Sequence, residues 1–128
     1  MDANPPPYFK LRDGYASYHP VGEISFDEAV RQVAEAISYA RESAIRKLFV
    51  DTTLWTGFPS PDTMERYSMA ETFARAARSK VILAMVARPE MIDANRFGVT
   101  VARNRGLICN VFESKEEAIP WLTNPDVK

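Results

Sequence analysis

Three short apolar runs separated by amphipathic helical stretches constrain this chain more than any other feature of its sequence. They are Lys47 to Asp51, Val81 to Ala87 and Leu107 to Phe112. Each is strand-sized, and each is bounded by segments of helical periodicity. Continuous apolar strands alternating with helices are the pattern of a mostly parallel sheet, buried by helices packed on it. Each strand–helix–strand crossover is then expected to be right-handed.

The helices carry their own start signals. Ser25-Phe26-Asp27-Glu28 has capping-box spacing, and Phe26, Ala29, Val30, Val33, Ala34, Ile37 and Ala40 recur at helical intervals. This predicts a helix over Phe26 to Glu42, with Asp27 and Arg31 paired on its wet face. Ser60-Pro61-Asp62 reads as the start of a second helix running to about Arg78, with Ser60 as N-cap and Pro61 at the first helical position. Pro89-Glu90 reads as the start of a third, closed by Gly106. Ser114 to Glu117 repeats the capping box before a short fourth helix, which Pro120 is expected to kink or end early. Upstream, Tyr8 to Arg12 and Tyr15 to Ile24 flank Asp13-Gly14 as an antiparallel hairpin, with Pro20 and Gly22 making the second strand an edge, a bulged strand or two short strands. The predicted order is β-β-α-β-α-β-α-β-α. It forms one α/β domain over residues 8–123, between a flexible tail at 1–7 and another at 124–128.

Composition excludes several functions. Sixteen basic and seventeen acidic side chains give a net charge of −1, without the positive field of a dedicated nucleic-acid binder. One Cys and one His exclude a disulfide framework and a Cys/His metal cluster, so neither metal nor cofactor is expected. No run approaches the ~20 apolar residues of a membrane span. The polar, proline-rich Met1 to Pro7 lacks an export-signal pattern, and with the free Cys109 this predicts a cytoplasmic protein. Glycine-rich phosphate loops are absent. A receiver domain would need further acids after its first strand and a Lys after its last; Arg12-Asp13-Gly14 and Phe112-Glu113-Ser114 supply neither. Asp51 is expected to accept amides of its own loop instead. His19 has no nucleophile or second ligand beside it, and Cys109 reads as an inert core thiol. Arg96 and Arg103 share a helical face that could meet an anion, although complementing the helix dipole accounts for them as well.

Asp51 closing a central strand, Gly22-Glu23-Ile24 running into an amphipathic helix, and the ending Phe112, Ala118, Ile119, Pro120, Trp121, Leu122 give the chain a family likeness. It resembles the SpoIIAA-like proteins, which belong with the STAS domains and share a general fold resemblance with CRAL-TRIO lipid-binding domains. The resemblance spans roughly Tyr15 to Leu122. It implies an α/β fold, no catalysis, and binding of a protein or a small ligand. STAS anti-sigma-factor antagonists place a phosphorylatable Ser or Thr in an Asp-Ser-Ser-Gly-like turn after the strand that Asp51 ends. Here the longer Thr52 to Pro61 stands there and no residue matches, so a phosphoswitch does not carry over.

The candidate site is that loop and the helix behind it. Trp55, Phe58, Met64, Tyr67 and Phe73 are too many large apolar groups for one helical face to bury, since Tyr67 and Met69 differ by about 200°. Some of this surface must be covered by the Trp55 loop folded over its own helix, by a ligand, or by a protein partner, most simply a second copy in a homodimer. The alternative is a carrier of a small apolar ligand or lipid, with a pocket under the Thr52–Pro61 loop. Ser60 is a further candidate, as an anion or phosphate site at a helix start.

Overall fold

The computed structural model describes residues 4–127; residues 1–3 and 128, which fall in the expected tails, lie outside the described residues. The hairpin forms as expected: β1 (Phe9–Leu11) pairs antiparallel with β2 (Ala16–Tyr18), with Lys10 opposite Ser17. Gly14 takes the positive φ of +84° that the turn requires. The returning strand then splits in two. Pro20 interrupts it and Gly22 sits at φ +119°, so β3 (Gly22–Glu23) leaves the main sheet.

Helix α1 (Phe26–Glu42) has the expected bounds. Its cap makes half of the expected box. Ser25 Oγ accepts from the Glu28 amide at 3.2 Å, but the Glu28 carboxylate turns to Arg31 and Gln32. Arg31 therefore pairs with Glu28 and Glu35, in place of the expected Asp27. Strand β4 (Lys47–Asp51) follows, then β5 (Trp55–Thr56), α2 (Thr63–Ala77) and β6 (Ile82–Val86). After a single 3-10 turn at Pro89–Met91 come α3 (Phe97–Asn104), β7 (Cys109–Phe112) and α4 (Lys115–Thr123).

Strands β1-β2-β4-β6-β7 form one sheet in that order, parallel throughout except for β1. Leu48 pairs with Leu83, and Leu83 with Cys109, so the central strands share one register. Side chains alternate between faces along each strand. Ala16, Tyr18, Leu48, Val50, Leu83 and Cys109 face a layer made of α1, α2 and α3. Phe49, Ile82, Ala84 and Val86 face α4 through Ala118 and Leu122, and Val127 packs against this second layer. The strand order never reverses, so the crossovers stack three helices on one face and leave α4 alone on the other.

Three sequence expectations are corrected. The second helix starts at Thr63 with Asp62, not Ser60, as N-cap. Asp62 and Glu65 complete a reciprocal box, with the Glu65 amide donating to Asp62 Oδ1 at 2.8 Å and the Asp62 amide to Glu65 Oε1 at 2.9 Å. The third helix does not start at Pro89. Arg96 adopts the left-handed conformation at φ +51°, and only the amide of Phe97, held by Asp93 Oδ2 at 2.8 Å, begins α3. At the other end, Gly106 closes α3 as expected, its amide donating to Arg103 O and that of Leu107 to Ala102 O, both at 3.0 Å. Finally, α4 runs through Pro120 to Thr123, although Ser114 makes no side-chain bond to the first amides. Beyond the sheet's last strand, Arg103 Nε donates to Cys109 O at 3.0 Å, Arg96 reaches Val111 O, and Asn110 Oδ1 accepts from the Val111 amide at 2.9 Å.

Candidate functional site

Asp51 starts the construction of the site. Its Oδ1 accepts from the amide and hydroxyl of Thr53 at 2.9 and 2.6 Å, the local turn expected of an Asp in this place. The Thr52 amide continues the β6 pairing by donating to Val86 O at 2.9 Å. The chain then turns and lays β5 beside β3 as a two-stranded parallel sheet, Gly22 opposite Trp55 and Glu23 opposite Thr56. Gly57 presses on the start of α1 at φ +109°, where a Cβ would stand 2.5 Å from Ile24 O, so a larger residue does not fit. Arg88 Nη2 donates to Trp55 O at 3.1 Å from the other side.

This bracing turns the loop's aromatics inward. Trp55 is 3% exposed, with its ring edge-on to Tyr18 at 6.4 Å. Phe58 packs edge-on to Phe26 at 5.8 Å. Beneath them lies an apolar cleft of about 140 Å³. Phe26, Ala29, Val30 and Val33 of α1 form one wall, and Met69, Ala70 and Phe73 of α2 another. Leu83 and Met85 of the sheet form the floor, and Val99 and Ala102 of α3 close the far side with Cys109. Arg66, Arg88, Arg96 and Asp93 are the charged groups on its lining.

The candidate residues thus divide. Trp55, Phe58 and Phe73 come together around the cleft. As anchors of a partner protein, Trp55 and Phe73 are corrected: at 3% and 4% exposed they are core side chains. Met64 is 73% exposed on the first turn of α2, away from the cleft. Tyr67 is half-buried outside it, with the Arg105 guanidinium 5.5 Å above its ring, and Arg105 also paired with Glu71 at 2.9 Å. The excess of apolar groups on α2 has an internal explanation. As the middle helix of its layer, α2 is flanked by both α1 and α3, so two of its sides are covered besides the one on the sheet. Ser60 lies before the cap, its Oγ accepting from Arg66 Nη2 at 2.9 Å, so it has no helix-terminal amides to offer an anion.

Burial shifts the titration of three further side chains. Burial pushes the Cys109 thiol up to about 11, so it stays protonated at neutral pH. Burial also holds the His19 imidazole below its ordinary value, against the attraction of Asp51 at 3.8 Å. Burial, and next Glu35, raise the Tyr18 phenol to about 12, with its hydroxyl 3.4 Å from Gln32 Oε1. Among the described residues, no group of three or more His, Cys, Asp or Glu is placed to hold a metal ion. Nor is any helix among the described residues long and apolar enough to cross a membrane.

Sequence reasoning singled out Arg96 as a residue that could meet an anion, but it did not find Arg66 or Arg88 on the lining. Arg88 directly follows the apolar run Val81 to Ala87, at the end of the sheet where loops gather, and that position was the available signal. Arg66 carried none, because a cation on an amphipathic helix looks the same whether it faces solvent or a cleft.

No family model matches the chain, and no curated protein matches it. Among solved structures, it is similar to that of an uncharacterized protein from the DUF3478 family with a SpoIIAA-like fold, from Shewanella loihica PV-4. The two chains share 15% identity over 89% of this chain and 90% of the other, with a TM-score of 0.48.

Proposed function

We propose that this chain is a non-enzymatic binding domain that holds a small apolar molecule in the cleft beneath the Thr52–Pro61 loop. The observation that carries this reading is the cleft itself, about 140 Å³ walled by aliphatic, aromatic and methionine side chains. A cavity of about 150 Å³ with such a lining stays dry and takes a single benzene ring. The fitting ligand is therefore one ring or a short alkyl chain rather than a whole lipid. The braced loop supports the same reading, since a roof that is already ordered adds little entropic cost to binding. The protonated Cys109 thiol on the lining favours packing against a ligand over attacking it.

The test is to titrate toluene into the full chain and follow the indole N–H resonance of Trp55 by NMR. The expected result is a saturable shift that is lost in Ala70→Leu, which fills the cleft from α2. An unmoved Trp55 resonance, or an Ala70→Leu variant that binds as before, overturns the reading. Native mass spectrometry supplies the contrast. A retained small molecule on a monomer supports it, and an empty dimer would favour self-association through exposed Leu54 and Met64.

A further inference from the structure

We infer that the molecule held in the cleft carries a carboxylate on its short apolar body, and that Arg66 and Arg96 receive it. This rests on the proposal that the cleft binds a small apolar molecule. The lining brings three guanidiniums and one carboxylate to an otherwise apolar space. Arg88 is accounted for: it lies 3.8 Å from the Glu90 carboxylate and holds Trp55 O. Asp93 commits Oδ2 to the Phe97 amide at 2.8 Å. Arg66 and Arg96 have no carboxylate within ion-pair distance among the described residues.

Both guanidiniums are nevertheless oriented by neutral acceptors, Arg66 at a half-buried and Arg96 at an exposed position. Arg66 is half-buried, its Nη1 donating to Met91 O at 3.1 Å and its Nη2 to Ser60 Oγ at 2.9 Å. Arg96 donates through Nη1 to Asn110 Oδ1 at 3.0 Å and to Val111 O, leaving Nε and Nη2 for another acceptor. Each guanidinium has five N–H donors in a planar fork, and neutral carbonyls use only some of them. Held by neutral acceptors, the two charges are oriented but not neutralised. A planar carboxylate matches that fork geometry and would supply the missing counter-charge. An alcohol would leave the charges as they are, and an ammonium would be repelled.

The experiment compares hexanoate, 1-hexanol and hexylammonium, one chain with three head groups, on the unmodified full chain by the Trp55 N–H shift. Hexanoate is expected to bind about tenfold more tightly than 1-hexanol, the gap closing as salt is raised, with hexylammonium weakest. Arg66→Gln and Arg96→Gln are each expected to remove most of the hexanoate advantage over 1-hexanol measured on the same variant. If 1-hexanol or hexylammonium binds as well as hexanoate, the carboxylate inference falls and the apolar cleft stands. If both variants keep the full preference, the assignment to these arginines falls. If none of the three moves Trp55, the cleft reading falls and the inference with it.

Discussion

The Trp55 ring stands edge-on to Tyr18 and lines the cleft while its backbone pairs with Gly22 of β3, so a single residue joins the small sheet, the large sheet and the site. Truncating it removes a large buried surface and leaves a void the braced loop cannot collapse into. Trp55→Ala is expected to lower unfolding free energy by about 3–5 kcal/mol. Urea denaturation followed by circular dichroism measures this, and a loss below about 1 kcal/mol would show that the indole is not a core side chain. Gly57 shows the same dependence on a non-local neighbour. Its sequence context marks a turn, but the 2.5 Å that a Cβ would have to Ile24 O arises only once β5 lies against the start of α1.

Pro120 belongs to the element scale. It is exposed in the middle of α4, where its ring nitrogen cannot donate to the carbonyl one turn back, yet the helix continues to Thr123. Ala118 and Leu122, fully buried on either side of it, hold the helix on the sheet by packing. Pro120→Ala restores a backbone bond and a strong helix former, and is expected to raise stability by about 1–3 kcal/mol, read as a higher urea midpoint with an unchanged slope. The same contrast between local and tertiary causes explains what the sequence discloses. Helix α1 is legible to its ends because a Ser cap and a long apolar stripe are local signals. The central strands are legible because burial on both faces demands continuous apolar runs. The start of α3 is not legible: Pro89 carries a helix-start signal, while the conformation of Arg96 and the Asp93 bond to Phe97 depend on how the loop is seated. Strand β5 is two residues long and exists only through its partner β3, so no periodicity marks it. For the site, Trp55, Phe58 and Phe73 were visible as an apolar excess, but their inward orientation follows from that pairing.

At the scale of the whole molecule, the strand order β1-β2-β4-β6-β7 has a bearing on binding. Open α/β sheets place ligands in the crevice where strand order reverses, and here it never reverses. The available space lies instead between the sheet and its three-helix layer, where the cleft is found. The same order leaves β7 as an outermost strand, and an outermost strand offers its free amides and carbonyls to any other extended chain. In this protein three of those groups are occupied by its own side chains: Arg103 on Cys109 O, Arg96 on Val111 O, and Asn110 on the Val111 amide. Such plugs oppose edge-to-edge polymerisation. Arg103→Ala, at an exposed position, is therefore expected to change the urea midpoint little while bringing forward the onset of light scattering on heating. An unchanged onset would show that the guanidinium is not what protects this rim. Because Arg96 belongs both to this rim and to the lining of the cleft, a substitution there uncovers Val111 O at the same time as it changes the charge beside the site.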